Sequence, residues 1–246
     1  LFQPLFGDPR WPHFSVRYLN YIDTPEFDDV GAVSFGGSFP FFRGPVAFGG
    51  EWDIGVEGSV FSIFDLNAES YDLINTDFWV AFPSVGYRLG KFSGLARLFH
   101  QSSHLGDEYL LRDYVHRNNV SYEGVEALFS YDLPGSLRIY GGGGSLLNRS
   151  PSSLDSYFAQ GGLQFESPWG FMDAMVRPVA ALDFKFNQES DWHTDFSGRI
   201  GLQFGSPDIF PSVYQLLFEY YNGYSPNGQF YSRKIEYIGV GFHYYY

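Results

Sequence analysis

The sequence predicts an all-β protein, a transmembrane antiparallel β-barrel of about twelve strands with short periplasmic turns and longer extracellular loops. Aromatic residues make up 21% of the 246 residues, whereas charged residues make up only 17%. Apolar and polar side chains alternate along segments of about 10 residues, the length of a strand that crosses a bilayer, whereas strands of soluble proteins usually have about 5–6. Trp and Tyr cluster near the segment ends, as in the aromatic girdles of membrane barrels.

The composition excludes several other classes of protein. The chain has 29 Gly and 14 Pro, which suit many turns better than long helices. Its net charge of −13 argues against binding to a phosphate backbone, and the absence of Cys excludes disulfide and thiol chemistry. Because no apolar run approaches about 18 residues, the sequence predicts no helical membrane anchor.

The alternation indicates which environment each face of the strands contacts. From Val176 to Phe186 the even positions are all apolar, whereas the odd positions include Arg177, Asp183 and Lys185. Side chains two apart in a strand lie on one face, so one face contacts lipid and the other a polar lumen. Backbone polar groups in lipid must all be paired, so the sheet has to close into a barrel.

Twelve segments follow this pattern, and an even number is typical of bacterial single-chain barrels. We expect residues 1–11 to form an N-terminal periplasmic segment and residues 12–246 to form the barrel. The predicted strands are 12–22, 29–38, 45–64, 71–89, 92–104, 119–132, 135–147, 154–166, 173–187, 190–205, 211–222 and 229–246.

Charged residues of both signs occupy the lumen-facing positions, and we expect them to pair with one another. Wide channels belong to barrels of about 16–18 strands, so a general porin is disfavoured and a narrow selective channel stays open. The predicted lumen charges are Asp53, Glu57, Arg97, Glu126, Arg138, Arg177, Asp183, Lys185, Asp195, Arg199 and Glu219.

Two stretches resemble known bacterial proteins. The last strand, 237–246, has alternating aromatic residues and resembles the C-terminal assembly signal of outer-membrane barrels. That resemblance implies the outer membrane of a Gram-negative bacterium and the barrel assembly machinery as a partner. Segments 4–12 and 100–108 together resemble a family of bacterial outer-membrane proteins known only as a domain of unknown function, which implies location and fold but no mechanism.

The pair His100 and Ser102 resembles the His-x-Ser pair of outer-membrane phospholipase A and lipid A deacylase. The alternation places both residues on the lipid face, where His100 would serve as general base and Ser102 as nucleophile. Pairing His100 with Glu123 across the hairpin also pairs apolar residues with each other, so Glu123 is the predicted orienting carboxylate. Asn118 or Asn119 is the fallback. The alternative is that these polar residues merely face lipid headgroups.

Carboxylates collect in the longest predicted loop, at Asp107, Glu108 and Asp113. Oxygen ligands suit a hard cation, so these residues are a candidate Ca²⁺ site that could bridge to lipopolysaccharide phosphate. Their spacing matches no known calcium loop, and a solvated acidic loop is the competing interpretation.

Three functions are therefore compatible with the sequence. The first-ranked function is that of a barrel with a charged, largely filled lumen and a structural or assembly-partner role. The alternative is an outer-leaflet lipid esterase that uses the His-Ser pair, and the second alternative is a narrow channel. Expected partners are outer-membrane lipid, lipopolysaccharide, and a protein partner or a second copy of the chain.

Overall fold

Twelve strands form a closed antiparallel barrel in the computed structural model. It describes residues 1–22, 24, 27–46, 49–68, 72–113, 119–173, 175–205 and 213–245, without the side chains of 112 and 113. The strands are β1 (Phe14–Ile22), β2 (Asp29–Pro45), β3 (Glu51–Asp65), β4 (Leu73–Leu89), β5 (Phe92–Leu105), β6 (Val120–Leu133), β7 (Leu137–Ser150), β8 (Tyr157–Glu166), β9 (Val176–Asn187), β10 (Thr194–Phe204), β11 (Val213–Tyr224) and β12 (Lys234–Tyr245).

Each strand pairs with its neighbours in chain order, and β12 closes the barrel by pairing with β1 from Phe14↔Tyr244 to Ile22↔Glu236. Closure leaves no unpaired sheet edge, as lipid requires. The predicted fold and strand number are thus confirmed. We call the end where β1 begins the turn side, and the opposite end, where the connection 106–119 lies, the loop side. A short helix, α1 (Asp107–Asp113), lies in that connection. Among the described residues, no helix is long and apolar enough to cross a membrane.

Strand β2 differs most from its predicted bounds, because it continues to Pro45 rather than ending near residue 38. Its register with β3 shifts between Pro40 and Phe42. Proline has no N–H to donate to the ladder, and a bulge lets a strand pass such a residue. The sequence shows the proline but not the bulge that accommodates it.

The two faces of the wall differ as the alternation predicts. Exposed apolar residues such as Val16, Ile200 and Phe218 cover the outside, whereas buried polar residues such as Asp183 and His243 line the lumen. Such an outer face suits the hydrocarbon of a lipid bilayer.

Charge on the outer face should be costly in proportion to its depth. Ile200 lies in the middle of β10 and is 63% exposed, and Tyr157 lies at the loop-side start of β8 and is 59% exposed. We expect Ile200→Arg to lower the free energy of unfolding by about 2–4 kcal/mol, and Tyr157→Arg by about 0–1 kcal/mol. Reversible urea unfolding in lipid vesicles measures both values. Equal costs would mean that Ile200 does not face the hydrocarbon.

The lumen charges pair across strands, as expected. Arg97 contacts Glu57 at 2.7 Å and Glu126 at 2.5 Å. On the opposite wall Arg199 contacts Glu219 at 2.8 Å.

Residues 1–13 lie inside the barrel, whereas we expected 1–11 to form a periplasmic segment. Leu5 and Phe6 are buried. The Phe6 N–H donates to Gln164 Oε1 at 3.1 Å, and the Arg138 guanidinium donates to the Gln3 and Pro4 carbonyls at 2.9 and 3.2 Å.

The same segment also pairs with charges of the wall. Asp8 contacts Lys185 at 2.6 Å, and Arg10 contacts Asp77 at 2.8 Å. These pairs give buried wall charges an opposite partner, which an unfilled lumen would lack. We call residues 1–13 the lumen segment.

Candidate functional site

His100 of β5 and Glu123 of β6 face outward and contact each other across the hairpin. They are directly opposed in register, together with Leu98↔Val125 and Ala96↔Ala127, so the register predicted from the apolar pairs is confirmed. His100 Nδ1 lies 2.8 Å from Glu123 Oε1. The two side chains are 42% and 40% exposed, on the face that contacts lipid.

This contact determines which nitrogen of His100 is available for chemistry. An ionised carboxylate only accepts hydrogen bonds, so Nδ1 carries the proton and Nε2 is left as the base. A histidine oriented in this way is the arrangement that activates a serine hydroxyl.

Ser102 lies two residues further along β5 and faces outward with His100. Residues two apart in a strand are about 6.5–7 Å apart along it, so the two side chains can meet after rotation. No hydrogen bond joins them among the contacts of the described side chains. Catalytic hydrogen bonds are often long in a free enzyme and tighten when substrate binds. Ser121 of β6 lies directly opposite Ser102.

The site lies towards the loop side of the barrel. His100 is five residues from the loop-side end of β5, and Glu123 is three residues from that of β6. Exposed apolar residues surround it, including Phe78, Val80 and Leu98. The polar pair and the nearby serines therefore interrupt a largely apolar wall.

Of the two fallback residues, Asn119 lies in the described structure, where its side chain contacts Ser150 rather than His100. The Asn119 side chain donates to Ser150 Oγ at 3.3 Å, and Ser150 Oγ donates to the Asn119 carbonyl at 3.2 Å. Asn118 lies outside the described residues. Glu123 is thus the carboxylate that the fold brings to the imidazole.

The candidate calcium residues are not brought together into a described site. Asp107 and Glu108 lie exposed in the first turn of α1, and the side chain of Asp113 is outside the described part of the chain. Among the described residues, no three His, Cys, Asp or Glu side chains form a group that could hold a metal ion.

The family model "Protein of unknown function (DUF1207)" matches residues 1–246. The chain belongs to this family. The match agrees with the resemblance carried by segments 4–12 and 100–108. No curated protein matches the chain.

Solved outer-membrane barrels share the fold of this family member. The outer membrane phospholipase A from Escherichia coli is 15% identical with a TM-score of 0.64, covering 96% of this chain and 92% of that one. The Salmonella typhi outer membrane phospholipase, a dimer with bound calcium, is 14% identical with a TM-score of 0.64, covering 96% and 93%. LpxR from Salmonella typhimurium is 9% identical with a TM-score of 0.40, covering 95% and 99%. At these identities the two phospholipases show the fold alone.

Proposed function

We propose that this protein is an integral outer-membrane barrel of a Gram-negative bacterium that hydrolyses acyl ester bonds of membrane lipids. One observation carries the proposal: the hydrogen bond of 2.8 Å between His100 Nδ1 and Glu123, with Ser102 on the same outward face. The site faces the apolar surroundings of the barrel, so its natural substrate is a lipid. The name of the Escherichia coli neighbour, a phospholipase, is consistent with this class of substrate.

In the proposed reaction the Ser102 hydroxyl attacks the carbonyl carbon of the ester. His100 Nε2 takes the hydroxyl proton and then gives it to the departing alcohol, while Glu123 holds the ring. A new ester joins the acyl group to Ser102 as the bond to the alcohol breaks. Water, deprotonated by His100, then attacks the carbonyl carbon of this ester. The bond to Ser102 breaks, the fatty acid leaves, and His100 returns the proton to the Ser102 oxygen. The Ser121 hydroxyl, opposite Ser102, can donate a hydrogen bond to the oxyanion.

The other two functions are less well supported. The lumen segment occupies part of the interior, and a cavity of about 240 Å³ on its Lys185 side is lined by Asp8 and Arg10 among other residues. This arrangement disfavours a channel. A purely structural barrel does not require an oriented His-Glu pair on its lipid face. Recognition of strand 237–246 by the barrel assembly machinery is compatible with each function.

The test is acyl release coupled to covalent labelling. Protein purified in detergent and reconstituted with phospholipid or lipopolysaccharide should release fatty acid, measured by mass spectrometry. Arms with added Ca²⁺ and with EDTA, at low and high protein concentration, separate a calcium or dimer requirement from lack of activity. A long-chain alkyl fluorophosphonate should label the peptide that contains Ser102.

Ser145 provides a matched control for the labelling. It also faces outward, opposite Val125, and its hydroxyl donates to the Leu146 carbonyl. Ser145→Ala should leave labelling and release unchanged. Absence of acyl release from every lipid, together with labelling that does not depend on His100, would contradict the proposed function.

A further inference from the structure

A row of directly opposed residues crosses the outer face of five strands and ends at the His-Glu pair. Gly37 of β2 is opposite Gly58 of β3, and Gly58 is opposite Val80 of β4. Val80 is opposite His100, which is opposite Glu123. The two positions furthest from the site thus have no side chain.

Gly58 forms the floor of a groove with aromatic walls, and the groove ends where the Phe39 ring lies against the buried Gly37. On the Ser102 side the next outward row begins with Phe35 and Val60, and on the other side lies Phe39, whose ring passes close to Gly37. A Cβ atom on Gly58 would meet only the Trp79 backbone oxygen within 4 Å, at 3.7 Å. The cavity above this floor is lined by apolar residues of both walls and by His100, the proposed general base. The apolar residues include Phe14, Phe35, Phe39, Val60, Phe78 and Val80.

The groove descends from the loop side towards the middle of the barrel wall as it leads away from the site. Glu123 lies three residues from the loop-side end of β6 and His100 five residues from that of β5. Gly58 lies seven residues from the loop-side end of β3, and Gly37 lies eight residues from the loop-side end of β2. A lipid acyl chain has the same course, from the headgroup region into the hydrocarbon.

We propose that this groove binds the acyl chain of the lipid whose ester bond Ser102 attacks. The proposal rests on the proposed hydrolase function for the chemical step, and it adds the recognition of the substrate. From β5 to β2 the groove spans three strand spacings, about 14 Å, which suits a long hydrocarbon chain.

The chemistry of the walls favours hydrocarbon over any polar ligand. Phe35 and Phe39 lie four residues apart along β2, about 13 Å between their backbones. The Phe39 ring extends over Gly37 between them, so the narrower space left between the rings is suited to one chain. The lining contains no Asp, Glu, Lys or Arg, and its polar groups near the site are those of His100 and Ser59. A chain in the groove would therefore exchange bilayer hydrocarbon for aromatic contacts and direct its ester carbonyl towards Ser102.

Filling the floor tests the groove directly. Gly58→Phe places a ring in open space on a lipid-facing strand, where aromatic residues are favoured, so folding should be retained. We expect hydrolysis of palmitoyl esters to fall about tenfold or more while that of butyryl esters changes less than about twofold, because a pocket discriminates by the volume it can accept. Gly161→Phe is the matched control: Gly161 faces outward in β8, and its Cβ would meet only the Tyr140 backbone oxygen, at 3.5 Å.

A second readout does not depend on catalysis. In the Ser102→Ala background, a phospholipid with a photoactivatable palmitoyl chain should cross-link to peptides of β2–β4 more than to those of β8–β10. Gly58→Phe should remove this excess, and Gly161→Phe should not. Cross-links concentrated in β2–β4 without hydrolysis by the parent protein would support the groove and overturn the hydrolase. Hydrolysis with unchanged chain preference and evenly spread cross-links would overturn the groove. The groove would also be overturned if the parent protein were a dimer and the Gly58→Phe variant a monomer, because a second copy of the chain would then be the occupant.

Discussion

Replacing Ser102 with alanine should reduce the release of fatty acid by about 10⁴-fold or more, because loss of the nucleophile removes the covalent route altogether. The variant should fold normally. Ser102 is a small, half-buried residue near the loop side, so loss of its hydroxyl should change stability little. Acyl release by mass spectrometry measures the effect, and slower migration after boiling than before it shows that the barrel is intact.

Glu123→Gln should reduce the rate by a smaller factor, about 10²-fold. The amide can still occupy the position next to His100 Nδ1, but it cannot stabilise the positive charge that forms on the ring. Ser145→Ala is the control for a lost outward hydroxyl. If Ser102→Ala and Ser145→Ala have the same activity, the site is not a hydrolase, and the structural role becomes the better interpretation.

Removing residues 1–11, most of the lumen segment, should open the barrel to ions. Residues 1–11 supply Asp8 and Arg10, which contact Lys185 and Asp77 in the wall. Without them, water would solvate the charges that the segment now pairs. We expect deletion of residues 1–11 to raise single-barrel conductance in planar bilayers well above that of the intact protein, while the closed strand ladder from β1 to β12 keeps the barrel folded.

Point variants test the same prediction in case the deletion variant fails to fold. Asp8→Ala combined with Arg10→Ala should weaken the contacts between the lumen segment and the wall. We expect intermittent channel openings in the conductance record. Leu111→Ala, an exposed position on α1, is the control and should not conduct. A deletion variant that folds and stays as resistive as the intact protein would show that wall side chains alone close the lumen.

The alternation of the strands could be recognised without a structure. It reflects the solvent on each face, which is a local property of every second residue, and so the strand number, the closed sheet and the lumen charges followed from the chain alone. The hairpin between β5 and β6 is the clearest case at the site. Its apolar residues permit one phase, and that phase places His100 opposite Glu123.

The lumen segment and the groove were decided only by the tertiary structure. Residues 4–12 show no alternation that would indicate which face is apolar. Asp8 contacts Lys185, which lies 177 positions later in the sequence. The bulge near Pro40 and the register shift between Gly55 and Glu57 determine how β2 meets β3 and β3 meets β4, and hence which row leads from Gly37 to His100. Alternation says which side of a wall a residue faces. Which residues become neighbours across several strands depends on registers and lumen contacts that form only when the barrel closes.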